Sequence, residues 1–267
     1  MEEIKCGILQ GEALFKSYYV FNAEVLKGSL LSPVGMITDG IRINESRLDV
    51  PVSLVKLSTG FKEQIKLYVD LQLCTDDERR IITNAKSGTI HLQEPDREVS
   101  LQGNKHLLFI DDSGVLQSFP VLLALARSGG QVEVYSMHQT GKAALSALRS
   151  YVKRMNFPLN TIRAGGERSI ARILESQTVG TRIMAFCDWS EYSRIKHIAR
   201  QIGYSNMEIQ GFGFGKMEER VFCARCYRMQ HKPPQSELIC MQCGISLVIS
   251  NHYSQRLEAY MGYVKVN

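Results

Sequence analysis

At 267 residues, 44% hydrophobic and 22% charged, the chain is long enough for two or three folded units and too apolar to be disordered. The formal net charge of +5 is interspersed along the sequence, which allows a nucleic-acid partner without implying one. No run approaches the ~20 apolar residues of a membrane helix, and the opening MEEIKCGILQ carries two acids and no long apolar stretch, so a cytoplasmic protein without a secretory leader is expected.

Residues 1–103 read as a β-rich, barrel-like domain. SYYVFNAEV, PVSLVKL, IKLYVDLQL and GTIHLQE are β-branched and aromatic, partly alternating, and separated by Gly, Pro, Asn and Asp; DDERRI suggests a short helix at most.

The period then changes over residues 104–215. LLFI (107–110) predicts a strand feeding the helix SFPVLLALARSGG, with Pro120 in its first turn and Gly129 and Gly130 past its end. VEVY (132–135) is the next strand. In GKAALSALRSYVKRM, Leu145, Leu148, Val152 and Met155 share one helical face. LNTIR (159–163), the helix ERSIARILES and RIMAF (182–186) follow. DWSEYSRIKHIARQIG then starts on a capping-box-like Asp188 and Glu191 and stops at Gly203, before a last strand, MEIQ (207–210). Alternating short strands and amphipathic helices predict a doubly wound, five-stranded parallel sheet of order 3-2-1-4-5, hence an α/β chain. GFGFGKMEER breaks the pattern and reads as a linker.

Residues 216–267 contain Cys223-X2-Cys226 and Cys240-X2-Cys243, four of the seven cysteines. Two residues between cysteines let both sulfurs of a turn face one ion, and the intervening loop brings the second pair opposite the first. The spacing predicts a zinc ribbon whose four thiolates leave no open coordination position, so the zinc is structural. His231 and His252 read as surface or packing residues, and Cys6, Cys74 and Cys187 as reduced, buried ones.

A 3-2-1-4-5 order sets the turn DDSG (111–114) beside CDWSEY (187–192), forming the crevice where sheets of this kind take ligands. Asp111 and Asp112 are then expected to face that crevice. Two like charges at ~4 Å repel by ~1 kcal/mol in water and ~4 kcal/mol when partly buried, so these acids should oppose a pyrophosphate.

The run from Gly88 to Ala126 resembles the junction of ferredoxin-reductase-like flavoproteins, where a β-barrel passes into the nicotinamide-binding domain; Gly114 and Pro120 match its turn. RIMAFCDWSEY…MEIQGFGFG resembles a later strand and Cys-Gly-Pro turn of that family, with Cys187 at the cysteine. The resemblance implies a degenerate cofactor site at Ser113, Gly114 and Cys187. The departures are Asp111 and Asp112 for glycines, Asp188-Trp189 for Gly-Pro, and the lack of a flavin-binding Arg-X-Tyr-Ser/Thr signature, so neither flavin nor NAD(P) is expected.

CARC…CMQCGISLVISNHYSQRLEAYMGYVKVN resembles the zinc-ribbon tail of accessory subunits of dimethylamine monooxygenase, with Tyr227 where a knuckle often carries Gly. That resemblance implies a multi-subunit oxidoreductase, a monooxygenase acting on a secondary amine. Its partners would be a haem-containing monooxygenase subunit and a flavin/iron–sulfur reductase subunit, with this chain a protein-complex component that has no catalytic residue. Trp189, Phe212 and Phe214 carry two readings, as exposed aromatic anchors for a partner or as side chains packing the sheet's edge. Two alternatives stand beside this reading. One is an active NAD(P)H- or flavin-binding reductase using Lys142 or Arg163. The other is a zinc-ribbon nucleic-acid-binding protein, disfavoured by the ribbon's thin excess of seven basic over four acidic residues.

Overall fold

Nine strands pair before residue 99, all antiparallel: β1 (Ile4–Leu14), β2 (Tyr18–Lys27), β3 (Val34–Ile37), β4 (Ile41–Ile43), β5 (Ser46–Leu48), β6 (Val52–Lys56), β7 (Gln64–Asp70), β8 (Thr89–Leu92) and β9 (Arg97–Glu98). Their order is β5-β4-β8-β1-β2-β7-β6-β3-β9. The computed structural model describes residues 3–15, 17–57, 62–137, 142–162, 166–215, 217, 219–254 and 257–265. DDERRI lies in α1 (Asp76–Asn84), fixed by a reciprocal capping box between Thr75 and Glu78.

Several of these strands are buried on both faces, which explains their weak alternation. Along β2, Tyr19, Phe21 and Ala23 enter the core of the sheet, while Tyr18 and Val20 face a second core on the other side. Tyr68 of β7 and Val55 of β6 join that second core.

It is built around α2 (Val115–Ser128), whose residues from Val115 to Leu122 are all buried. A helix apolar on every side needs neighbours on every side; one flank meets β3, β6 and β7, the other the parallel sheet. A single 3-10 turn (Asp112–Gly114) precedes α2, so Pro120 lies inside the helix and not in its first turn as expected. Lacking an N–H, it cannot bond the carbonyl of Leu116. Gly129 closes the helix at φ 72°, a left-handed value that suits glycine. The Tyr68 and Tyr151 hydroxyls meet at 2.9 Å, and Phe119 stacks on Tyr151 at 4.1 Å between ring centres, joining the β-rich layer to α3 (Lys142–Arg154).

The parallel sheet comprises β10 (Lys105–Ile110), β11 (Gln131–Met137), β12 (Leu159–Ile162), β13 (Thr181–Asp188) and β14 (Ile209–Phe214). Its order, β12-β11-β10-β13-β14, is the 3-2-1-4-5 winding expected. Successive side chains of β10 alternate: Leu108 and Ile110 face α2 and α3, while Leu107 and Phe109 face α4 (Glu167–Glu175) and α5 (Trp189–Ile202). Helices on both faces make the sheet doubly wound.

The linker reading of GFGF is corrected: residues 211–214 are strand, paired with β13. A Cβ at Gly211 would lie 2.0 Å from the Tyr192 ring, and one at Gly213 would lie 2.2 Å from the Trp189 indole. Both glycines therefore let aromatic rings of α5 approach the strand backbone closely. Gly213→Ala is expected to cost about 1–3 kcal/mol by overpacking. Because Trp189 is the chain's single tryptophan, its fluorescence should shift in the same variant.

The chain divides into two compact units, Met1–Phe214 and Gly215–Asn267. The second is a five-stranded sheet of order β16-β15-β19-β18-β17, from β15 (Arg220–Cys223), β16 (Met229–His231), β17 (Glu237–Ile239), β18 (Ser246–Ser254) and β19 (Ala259–Val264).

Candidate functional site: a packed sheet crevice and a four-cysteine ribbon

In the first unit, β10 and β13 end side by side and the chain turns at Asp111. The expectation that both aspartates face a ligand is corrected for Asp111, which is 4% exposed and turned into the protein. One carboxylate oxygen accepts the Ser113 N–H and the other accepts the Asp188 N–H, both at 2.8 Å. The cause is topological. The Asp188 N–H at the end of β13 needs an acceptor, and the neighbouring chain supplies a carboxylate, while Asp111 N–H bonds the Phe186 carbonyl at 3.0 Å.

Burial raises the Asp111 carboxyl pKa above its ordinary value, against the pull of the two N–H donors. The folded state thus holds this proton more tightly than the unfolded chain. The group's contribution to stability falls as pH rises from about 3.9 through the raised folded value and is flat above it. A carbon-detected titration should place the Asp111 inflection above about 3.9. Asp111→Ala, which strands two N–H groups, is expected to cost about 2–4 kcal/mol in urea unfolding.

Asp112 is exposed. Asp188 is engaged as the cap of α5, accepting the N–H groups of Ser190 at 2.8 Å and Glu191 at 2.9 Å. The capping box expected here is half formed: Glu191 pairs with Arg194, and the Asp188 N–H goes to Asp111 instead.

Of the residues assigned to this crevice, Ser113 is exposed, whereas Gly114 and Cys187 are buried. A Cβ at Gly114 would stand 2.1 Å from the Phe186 carbonyl oxygen and 2.3 Å from its carbon. The glycine permits contact between the turn and β13. Cys187 is fully buried in the core beneath α4 and α5, and burial drives its thiol far above the usual range. Cys6 and Cys74 behave alike, pushed up to about 12 and about 11 by burial.

Along the seam of β3 and β6 with α2, β13 and β14 the cavity is about 10 Å³, the scale of one water molecule. The Gln117 side chain faces it, and its buried carbonyl oxygen has no protein partner. That seam is far smaller than the roughly 300–1,000 Å³ of organic-cofactor pockets, whereas open hollows of about 660 Å³ beside His91 and about 610 Å³ beside Tyr135 lie elsewhere in the unit. The loops after β11 and β12, with His138 and Arg163, and the Lys142 side chain lie outside the described residues.

Of the two readings of the aromatic residues, packing holds for Phe212 and Trp189. Phe212 is buried and stacked on Phe186 at 5.2 Å, and Trp189 is half-buried over Gly213 with its edge to Tyr192. His197 is exposed on α5, and His106 is buried at the start of β10.

The second unit presents two matching knuckles. In the first, Cys223 N–H donates to the Arg228 carbonyl and Tyr227 N–H to the Cys223 carbonyl; in the second, Cys240 N–H donates to Ile245 and Gly244 N–H to Cys240, all at 2.8–2.9 Å. The residue after each second cysteine is left-handed, Tyr227 at φ 62° and Gly244 at φ 68°. Tyrosine therefore adopts the conformation that glycine supplies in the other knuckle.

The four sulfurs lie within 4.8 Å of one another, with Cys223–Cys243 at 3.9 Å and Cys226–Cys240 at 3.6 Å. Tetrahedral zinc with Zn–S bonds of ~2.3 Å needs sulfurs ~3.8 Å apart, so the residues fit that ion. Backbone N–H groups of Cys243 and Gln242 aimed at Cys240 lower its thiol pKa and favour the thiolate a metal requires. Leu247 and Val221 pack beneath the site, and Glu219 braces its edge, bonded to Lys232 at 2.7 Å and to the Tyr260 hydroxyl at 3.0 Å.

A β-rich layer joined through one central helix to a doubly wound parallel sheet, followed by a four-cysteine ribbon, defines a ferredoxin-reductase-like architecture with an appended metal-binding tail. Residues 220–263 match the family described as dimethylamine monooxygenase subunit DmmA-like, C-terminal domain. Over 93 residues the chain is 31% identical to the heme-dependent oxidative N-demethylase delta subunit of Ectopseudomonas mendocina (strain ymp), a stretch covering 35% of this chain and 53% of that one. The chain thus spans about half the length of this curated relative.

Among solved structures it resembles the ferredoxin reductase of carbazole 1,9a-dioxygenase, at TM-score 0.54 and 9% identity over 80% of this chain and 70% of that one. It also resembles an intact type IV self-sufficient cytochrome P450 monooxygenase, at TM-score 0.53 and 11% identity over 93% of this chain and 32% of the other. At these identities the likeness is one of fold.

Proposed function

We propose that the chain is an accessory subunit of a multi-subunit, haem-dependent amine monooxygenase or N-demethylase acting on a secondary amine such as dimethylamine. The observation that carries this reading is the match of the cysteine ribbon, residues 220–263, to the C-terminal domain of a dimethylamine monooxygenase subunit; the 31% identity to an N-demethylase delta subunit supports it. The partners we assign are a haem-containing subunit and a flavin/iron–sulfur reductase subunit. Residues 1–103, 104–215 and 216–267 are taken as its three modules.

Within that complex the reductase-like modules are read as a scaffold holding neither flavin nor NAD(P). Support comes from the turn at Gly114 packed on Phe186, the inward Asp111, the buried Cys187 and the one-water seam. Repulsion by two carboxylates, expected from sequence, gives way to steric closure as the reason. The four cysteines are assigned a structural zinc, which would stiffen the ribbon and take no part in turnover because all four positions are sulfur. No helix among the described residues is long and apolar enough to cross a membrane. A cytoplasmic location is proposed because four cysteines grouped to hold a metal ion suit a reducing compartment.

Co-expression with the haem and reductase subunits of the same organism tests the assignment. The three chains should co-purify, and amine-dependent turnover should fall when this chain is omitted. A chain that stays monomeric beside both, with turnover unchanged, overturns the reading.

A further inference from the structure

Strand register sorts the ribbon's side chains onto two faces. Val221, Cys223, Leu247 and Ile249 point inward to the cysteine cluster and its core. On the outer face Phe222 pairs with Met229 on one side and Met261 on the other, and Tyr263 pairs with Val248. This face is apolar and partly exposed: Met229 is 41% exposed, Tyr263 49% and Val248 38%. Tyr227, 73% exposed, extends it from the first knuckle with its ring 6.0 Å from that of Phe222.

The charges around it are one-sided. Arg220 stands directly across from His231 on the same face, and Arg225 and Arg228 are close neighbours of Tyr227 in the sequence of the first knuckle. All three arginines are exposed, and none forms an ion pair among the described residues. The described acids of the ribbon are already engaged. Glu219 holds Lys232 and Tyr260, Glu237 holds Lys265, and Glu258 has an interaction of its own.

We propose that this outer face is a docking surface for a protein partner with an apolar patch rimmed by carboxylates, a proposal that rests on the accessory-subunit reading and locates where that subunit binds. Aromatic, methionine and arginine side chains are the types enriched at protein interfaces, and here they are contiguous. A second copy of the chain is disfavoured, because two such faces meeting would set unneutralised arginines against each other. Nucleic acid fits less well. Phe222 at the centre of the face lies between two methionines with no basic residue paired to it, and three arginines are few for a backbone-binding surface. Five strands span only about 19 Å, so the contact lies at the small end of specific interfaces and should be salt-sensitive.

The test titrates the full chain with the haem-containing subunit from the same organism, at low and at physiological salt. Arg225→Glu/Arg228→Glu should weaken binding at least about tenfold and flatten the salt dependence, and Met229→Ser/Tyr263→Ser should weaken it with the salt dependence intact. Metal content reports whether the ribbon of each variant is folded. As a measurement free of substitutions, hydrogen exchange of the wild-type complex should slow at residues 220–229 and 259–264. If the subunit binds but both variants match wild type and protection appears elsewhere, the docking face is wrong while the accessory reading stands. No complex at either salt removes both. Tight binding of duplex DNA lost in the arginine variant, or self-association of the free chain lost in either variant, would overturn the proposal by assigning the face to another occupant.

Discussion

Cys240→Ser is expected to release the ribbon's zinc and unfold residues 220–264 while Met1–Phe214 keeps its structure. The size of the effect follows from two magnitudes. Structural zinc contributes roughly 10–16 kcal/mol of apparent binding energy at neutral pH, whereas small domains are stable by only about 5–15 kcal/mol in total. The ribbon's own core is small: besides Cys223 and Cys240, Leu247 is the buried member of its cysteine cluster, and Val221, Ile249 and Ala259 add the remaining buried apolar side chains. Without the ion little offsets the entropy of ordering the chain. Elemental analysis with hydrogen exchange checks both halves: zinc should fall to background, and protection should vanish in the ribbon alone. Full zinc retention would remove the four-thiolate site.

Gly114→Val should be severely damaging to the first unit, at about 4 kcal/mol or more, with Gly114→Ala already severe. The new Cβ would meet the carbonyl oxygen of Phe186 at 2.1 Å. That atom is backbone in the sheet and cannot rotate away, so the turn must part from β13 and break the Asp111 clamp with it. The substitution also separates two explanations of the glycine. If Gly114 exists to admit a phosphate, Gly114→Ala should leave stability within about 1 kcal/mol of wild type and abolish a cofactor affinity the wild-type chain possesses. If it exists to admit β13, stability collapses and there is no affinity to lose. Urea midpoints and calorimetry with FAD and NADPH read the two outcomes.

What the sequence disclosed was what neighbours along the chain determine. The four strands and helices from Leu107 to Ile202 were legible because apolar spacing and local caps, such as Asp188 and Gly203 around α5, need no distant partner. The cysteine pairs were legible for the same reason, each knuckle closing within six residues on its own backbone. GFGF was misread as linker because its glycines answer to Tyr192 and Trp189, rings some twenty positions earlier that only the fold brings onto the strand. Asp111 and Asp112 look alike in sequence. Their opposite fates, one clamped inside and one exposed, depend on Asp188 arriving beside β10 from 77 residues away. A partial signal existed: an aspartate followed two residues later by serine before a helix is the pattern of an Asx turn, in which the side chain bonds its own backbone.

The reading proposed for the chain is a reductase-like fold whose crevice is filled by its own turn, with a ribbon whose four cysteines fit zinc. Calorimetric titration of the purified full chain with FAD and with NADPH, alongside its visible absorption spectrum and zinc content, tests it most directly. The expected result is a colourless protein with one zinc per chain and no saturable heat with either cofactor. Stoichiometric flavin colour, or a saturable low-micromolar isotherm with either cofactor, would contradict it.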